Sequence, residues 1–149
     1  RRMTDLPLTN VRLDVLGWLV DNIRAQLPGV QVEAGWPGDR EKPETVYAGV
    51  VEGTLDDTLI LAGRRIYDDN FTVPFEIRCT AKDMDTCRSR LSALVAGLHE
   101  VMAGNPTLDE EVPGVLSAHL AQLTTFVGRS PEGPRGYATQ DIAVHARSN

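Results

Sequence analysis

The fold prediction rests on the stretch Phe71-Thr-Val-Pro-Phe-Glu-Ile-Arg-Cys-Thr80. Apolar residues occupy every second position from Phe71 to Cys79, which is the two-residue period of a strand with one buried face. Pro74 lies on the other face and has no backbone N–H, so we expect a sheet edge or a bulge there. The stretch therefore predicts a strand over Phe71–Thr80.

The segment after this strand predicts a helix that ends at Gly104-Asn105-Pro106. Asp83 or Asp85 is a suitable N-cap, because an aspartate carboxylate accepts hydrogen bonds from the free amides of the first turn. Apolar residues repeat every three or four positions and define one inward face: Cys87, Leu91, Leu94, Val95, Leu98 and Met102. We expect this face to pack against Phe75 and Ile77 of the strand.

A second amphipathic pattern covers residues 8–27, near the start of the chain. Thr9 or Asn10 is a candidate N-cap, and Pro28-Gly29 ends the helix by removing a donor and permitting a reversal. The predicted inward face consists of Leu13, Leu16, Val20, Ile23 and Leu27.

The other segments predict short strands and turns. Val30–Glu33 is a short strand candidate, and Gly35–Glu44 is a loop rich in turn formers and charges. We expect a hairpin of Val46–Thr54 and Thr58–Ala62, with its turn at Leu55-Asp56-Asp57. Gly63–Asn70 is expected to be a break between strands. A final hairpin should consist of Val115–Val127 and Tyr137–Ala146, joined by a Gly/Pro-rich loop, Gly128–Gly136. The hairpin-length links predict a single α+β domain over residues 1–149, with a mainly antiparallel sheet and both helices on one face.

Composition excludes several classes of function. The 149 residues contain 15 basic and 21 acidic side chains, a net charge of −6, which disfavours binding to nucleic acid or to anionic membranes. No apolar run is long enough to cross a bilayer, and residues 1–7 are not followed by the apolar core of a signal peptide, so we expect cytoplasmic synthesis and no membrane partner. Cys79 and Cys87 match no zinc or redox motif, and we expect both to be buried thiols.

No motif in the chain predicts catalysis. His99, His119 and His145 are not at spacings typical of zinc ligands, and each is expected to have a structural role. The sequence contains no nucleophile elbow and no Cys-His signature, and Gly128–Gly136 lacks the Gly-Lys-Ser/Thr ending of a phosphate-binding loop. We therefore predict no enzyme activity, no metal and no cofactor.

Several residues are candidates for contacts with other proteins. The Gly/Pro-rich loop Gly128–Gly136 contains Arg129 and Arg135, and it either docks a partner or has no binding role. Trp36 is a large apolar side chain in a polar loop, and it either anchors a neighbouring subunit or folds back over its own sheet. Asp56-Asp57 and Asp68-Asp69 are expected in turns, where aspartate is favoured, and they lack the ligand spacing of a calcium loop.

The order of these elements resembles the tail terminator, or tail completion, proteins of long-tailed bacteriophages, especially those of actinobacterial hosts. The resemblance covers most of the chain. It is carried by the helix Thr9–Leu27 with Pro28-Gly29-Val30, the strand Phe71–Thr80, the capped helix Asp83–Ala103 and the closing hairpin of Val115–Val127 and Tyr137–Arg147. Neighbouring phage neck proteins, the connectors and stoppers, have a similar order of elements.

The resemblance implies a virion protein that forms a ring, usually of six copies, at the head-proximal end of the tail tube. Its partners would be copies of itself, the tail tube protein and the head-tail connector, and DNA would pass through the lumen without specific binding. For such a ring we expect Trp36, Arg40, Arg64, Arg65, Arg129 and Arg135 at subunit or partner interfaces, and Asp56, Asp57, Asp68 and Asp69 at the lumen or rim. The rival from another class is a small enzyme or ligand-binding domain, and the genes next to this one would separate the two.

Overall fold

The computed structural model describes residues 8–61 and 64–148, which form two helices and one six-stranded sheet. The α-helices are α1 (Leu8–Gln26) and α2 (Met84–Ala103), and short 3-10 turns cover Gly38–Arg40 and Leu108–Glu110. The strands are β1 (Gln31–Glu33), β2 (Glu44–Ala48), β3 (Glu52–Leu61), β4 (Arg64–Thr80), β5 (Val115–Ser130) and β6 (Gly133–Ser148).

The sheet is antiparallel except for the parallel pair β1 and β2. Its order is β1-β2-β4-β6-β5, and β3 pairs with the first half of β4 on the side where β2 pairs with the second half. Both helices belong to one core cluster with the apolar face of β4. The predicted α+β class, the mainly antiparallel sheet and the placement of both helices on one face are confirmed.

The central strand β4 has the alternating burial that its sequence predicts. Phe71, Val73, Phe75, Ile77 and Cys79 are all buried, while the residues between them lie on the face opposite the helices. The strand itself is longer than predicted, because residues 64–70 continue it instead of forming a pause.

Pro74 lies in the central strand, so the predicted edge position is wrong, but the pairing beside it is irregular, as the alternative of a bulge predicts. Ala48 pairs with Phe75 and Glu52 with Thr72, so three residues face two. The Pro74 carbonyl accepts a 2.7 Å hydrogen bond from the Gly49 amide, and on this side β2 ends at Ala48 and β3 begins at Glu52. A residue of an antiparallel strand directs its N–H and C=O to the same neighbour. The missing donor of Pro74 therefore faces the gap between β2 and β3, and the ladder to β6 is unaffected.

Helix α2 begins and packs as predicted. The Asp83 carboxylate accepts hydrogen bonds from the Thr86 amide at 2.7 Å and the Thr86 hydroxyl at 3.0 Å, so Asp83 is the N-cap. The buried residues of the helix are Cys87, Leu91, Leu94, Gly97, Leu98, Val101 and Met102. Val95 is only half-buried, because it lies beside the groove between α2 and β5.

The inward face of α1 differs from the prediction. The buried residues are Val11, Val15, Trp18, Leu19, Val20 and Ile23. Leu13 is 65% exposed, and Leu16 and Leu27 are only partly buried, so the helix is rotated relative to the expected face. The apolar sector of α1 is wide enough to fit two faces, and tertiary packing decides between them. The helix begins at Leu8, so neither Thr9 nor Asn10 is its N-cap, whereas Gly29, with a φ of +84°, reverses the chain as predicted.

An ion pair attaches α1 to the sheet. The Arg12 guanidinium donates to both oxygens of the Asp69 carboxylate, at 2.6 and 2.7 Å, and lies 5.3 Å from the centre of the Phe71 ring. Asp69 is 1% exposed, and this bidentate pair compensates its charge. Asp69 is therefore a structural residue of β4, and its predicted placement in a turn is wrong.

Two predicted turns are strand residues. Leu55, Asp56 and Asp57 lie within β3, and the last described pair of β3 and β4 is Leu61 with Arg64. Likewise β5 extends to Ser130 and β6 begins at Gly133, so the predicted loop Gly128–Gly136 shrinks to a turn at Pro131 and Glu132. In both cases pairing with a long neighbouring strand overrides the local preference of Asp, Gly and Pro for turns.

Both cysteines are buried free thiols, as predicted. The Cys87 thiol donates to the Cys79 carbonyl oxygen at a distance of 3.7 Å, where β4 and α2 meet. Burial raises the pKa of Cys79 to about 11, so this thiol stays protonated at neutral pH.

The packing of α2 gives a prediction about stability. Leu94→Ala removes a fully buried side chain from the core and should lower the free energy of unfolding by about 2 to 5 kcal/mol. Val95→Ala, one residue further on but half-buried, should cost clearly less. Urea unfolding of the two variants measures the difference, and equal costs would contradict the assigned helix face.

Candidate functional site

The strand β5 forms an open edge of the sheet. It pairs with β6 on one side, and no described strand pairs with its other side. From Val115 to Gly128 it contains no Asp, Glu, Lys or Arg, although 24% of the whole chain is charged. Edge strands usually carry charges, prolines or bulges that prevent pairing with another chain. An uncharged edge of this length is therefore a candidate site for association.

Exposed apolar side chains lie on this edge. Phe126 is 61% exposed, and Leu116 and Leu123 are also exposed. Register shifts occur between Val115 and Ser117 and between Leu120 and Leu123, so bulges interrupt the first half of the strand. From Leu123 to Ser130 the pairing with β6 is regular. The second half of β5 is thus a regularly paired and uncharged edge up to Gly128, with Leu123 and Phe126 as exposed apolar side chains.

The hairpin arm, formed by β3 and residues 64–72 of β4, supplies the open edge on the other side of the sheet. β3 pairs only with β4 among the described strands. Leu55 and Val50 are exposed here, together with Glu52 and Asp56. The sheet therefore has two long open edges with different side chains.

The four predicted rim aspartates have different environments. Asp56 is exposed in β3, directly opposite Asp68 of β4, and the Asp57 side chain lies outside the described residues. Asp68 pairs with Arg147 at 2.8 and 3.3 Å and with His145 at 3.3 Å. Asp69 is buried against Arg12, so it cannot line a lumen. Among the described side chains of this set, only Asp56 is both exposed and placed at an open edge.

The predicted interface residues do not form one cluster. Trp36 is 69% exposed on the loop before β2, and Arg40 is exposed four residues further on. Arg64 and Arg65 begin β4, but their side chains lie outside the described residues. Arg129 is exposed near the end of β5, while Arg135 is half-buried in a pocket on the open face of the sheet.

This pocket is a feature that sequence reasoning missed. It lies between the loop before β2, the end of β4 and the β5–β6 turn, and its volume is about 290 Å³. The Arg78 guanidinium lies 5.3 Å from the centre of the Tyr47 ring and 5.5 Å from that of Tyr137. Tyr137 in turn stacks on Phe126, with 6.3 Å between the ring centres. A row of stacked groups therefore crosses the open face from β5 to β2.

Burial and charge act in opposite directions on the pKa of Tyr47, which contacts Arg78 at the pocket. Burial raises the pKa of Tyr47, and the nearby Arg78 charge opposes this effect. The Nη1 atom of Arg78 is 3.4 Å from both oxygens of Glu41, and the Nε atom is buried without a hydrogen-bond partner. From the sequence, only the alternation of apolar and polar residues along the two strands could have indicated that Arg78 and Tyr137 lie on the same face of the sheet.

The three histidines lie in different environments. Nε2 of His99 lies 2.7 Å from the side-chain oxygen of the buried Gln140, His119 is exposed on β5, and His145 is beside Asp68. In the described part of the chain, no group of three or more His, Cys, Asp and Glu side chains could hold a metal ion. Neither described helix combines the length and apolarity needed to cross a membrane.

Comparison with known proteins adds no family. The sequence matches no protein-family model and no curated protein.

The ion pairs of Asp68 give a pH prediction. The Arg147 guanidinium, with a smaller effect of His145, lowers the pKa of Asp68 to about 2. An aspartate in an unfolded chain has a pKa of about 4. The pair with Arg147 therefore stabilises the folded chain fully above pH about 4, and this stability is lost as the pH falls towards about 2.

Urea unfolding from pH 6 down to acid, with and without Asp68→Asn, measures this effect. The variant should lose stability near neutral pH and show a weaker fall in stability between pH about 4 and about 2. Arg147→Gln should reproduce the change because it removes the main cause of the shift. If the loss of stability between pH about 4 and about 2 is the same in both variants as in the unchanged chain, these pairs do not form in solution.

Proposed function

We propose that this chain is a structural virion protein that assembles with copies of itself into a ring at the head-proximal end of a phage tail tube. In this role it ends the polymerisation of the tube and docks the head-tail connector. The observation that carries the proposal is the open edge of β5, whose residues 115–128 contain no charged Asp, Glu, Lys or Arg side chain.

The energetics of an open edge support assembly. The free N–H and C=O groups of an edge strand form hydrogen bonds with a strand of a second chain, and apolar side chains add hydrophobic burial. Leu123 and Phe126 provide such side chains on opposite faces of the uninterrupted half of β5.

The presence of two different open edges favours a ring over a two-fold dimer. A contact between unlike surfaces is heterologous, and repeating it generates a closed ring or an open filament. Here the β5 edge is uncharged and the β3 edge has the carboxylates of Glu52 and Asp56. The six copies are an expectation from the resemblance to tail terminators.

The remaining exposed candidates suit contacts with other proteins. Trp36 and Arg40 share the loop before β2, separate from both sheet edges, and tryptophan and arginine are enriched among residues that dominate interfaces. We assign this loop to the tail tube protein or to the connector. Arg129, near the end of β5, belongs to the subunit contact.

The edge can be tested with a double variant. Leu123→Lys with Phe126→Lys removes two apolar side chains and places like charges along the edge, so self-association should weaken on the order of a hundredfold. Analytical ultracentrifugation measures the self-association, and electron microscopy shows whether rings form. Tail tubes assembled in the presence of this variant should be longer and more variable than those assembled with the unchanged chain.

Leu13→Lys is the matched control, because Leu13 is 65% exposed and Phe126 is 61% exposed, but Leu13 lies on α1. Its assembly should equal that of the unchanged chain. Rings that form equally well with the double variant would exclude the β5 edge as the subunit contact. Rings that form but leave tube length unregulated would exclude the tail-terminator role.

A second prediction concerns DNA, which must slide through the ring without being held. Tight duplex binding needs clustered Lys and Arg that displace counterions from phosphates. This chain has 21 acidic and 15 basic residues, and the exposed Asp56 lies at an open edge. Fluorescence anisotropy with a labelled duplex should therefore show no binding at physiological salt, for the chain or the ring. Micromolar or tighter binding that weakens with added salt would contradict a passive channel.

A further inference from the structure

We propose that the pocket around Arg78 and Arg135 binds one oxyanion, a carboxylate or phosphate group. The pocket lies on the sheet face opposite the helices, and its volume of about 290 Å³ is that of a small-ligand site. Three of its lining residues are basic, Lys42, Arg78 and Arg135, and two are acidic, Glu41 and Glu132. The pocket is thus positively charged in a protein whose net charge is −6.

The two arginines have donors that their present partners do not satisfy. Arg78 reaches both oxygens of Glu41 only at 3.4 Å. Arg135 reaches Glu132 at 3.4 Å and the Tyr137 hydroxyl at 3.5 Å. In both arginines the Nε atom is buried without a hydrogen-bond partner. An unpaired buried donor costs free energy, and the contacts of the Nη atoms are long, so an acceptor that engages either guanidinium better is stabilising.

Two other arginines of the same chain form short, bidentate hydrogen bonds to a carboxylate. Arg12 contacts Asp69 at 2.6 and 2.7 Å, and Arg90 contacts Glu44 at 2.6 and 2.8 Å. These are the distances of bidentate, charge-assisted hydrogen bonds. The contacts of Arg78 are more than half an ångström longer. Glu41 and Glu132 therefore engage the two arginines only through long contacts and leave both Nε donors unpaired.

The pocket is organised before a ligand arrives. The Arg78 guanidinium is held between the Tyr47 and Tyr137 rings by cation–π contacts. Binding an anion then requires little ordering of this long side chain, which otherwise opposes binding. Lys42 is exposed at the pocket, and its side chain has no ion pair among the described residues, so it is free to add a third cationic contact.

The ligand is a single small anion. The planar fork of an arginine matches two oxygens of one carboxylate or phosphate group. The carboxylates of Glu41 and Glu132 in the pocket wall repel a longer polyanion such as a DNA strand. This site does not depend on ring formation, because all of its lining residues belong to one copy.

Nuclear magnetic resonance of the arginine Nε–H groups tests the proposal in the full chain. Malonate and inorganic phosphate are titrated separately at constant ionic strength set with sodium chloride. The Arg78 and Arg135 signals should shift and saturate, while the Arg90 signal stays in place because Glu44 already binds it. Tighter binding of malonate identifies a carboxylate site, and tighter binding of phosphate identifies a phosphate site.

Arg78→Lys keeps the charge but removes the planar fork, so the affinity for the preferred anion should fall at least about tenfold. Arg90→Lys is the matched control and should bind as the unchanged chain does. If Arg78→Lys does not fold, Arg135→Lys replaces it with the same expected loss. Signals that drift without saturating, or affinities equal in the Arg78, Arg135 and Arg90 variants, would overturn the proposal.

Discussion

The structure depends on one constraint, the two-sided pairing of β4 combined with burial of one of its faces. β4 pairs with β6 along Tyr67–Thr80 and with β2 and β3 on its other side. A shift of one residue would move Phe75 and Ile77 from the core to the open face. The hydrophobic face therefore fixes the register of β4, and β4 fixes that of its neighbours. Arg12 and Asp69 then attach α1 to this strand at its less apolar end.

The parts of the fold that local patterns determine could be predicted from the sequence. The strand Phe71–Thr80 and the helix after Asp83 follow from alternation and capping, and both are confirmed. The errors lie where distant residues decide. Asp69 looks like a turn residue until Arg12, 57 positions away, neutralises it inside the protein. Asp68 opposes Asp56 across two strands, an unfavourable pair of like charges, but Arg147 lies opposite Asp68 on the other side.

The candidate sites were predictable only in part, for the same reason. Trp36, Arg40 and Arg129 are exposed, as residues of an interface must be, but the sequence could not show that β5 is an edge. The pocket combines a loop, the end of one strand and the start of another, so no local motif marks it. The edge and the pocket are also in physical contact, because Phe126 on β5 stacks on Tyr137, which flanks Arg78. A chain that covers Phe126 therefore touches the wall of the anion pocket.

The unbroken length of β4 and β6 has a mechanical consequence. Both strands run from the core into the hairpin arm without interruption, whereas β2 and β3 are separate strands on the other side of β4. A force that pulls the arm along the strand axis loads all the hydrogen bonds between β4 and β6 in shear, and they must break together. A force that lifts the arm away from the sheet acts at the gap beside Pro74, where β2 and β3 are interrupted and only β6 and β5 continue the sheet next to β4. We therefore expect the arm to resist pulling along its strands more than bending at Pro74.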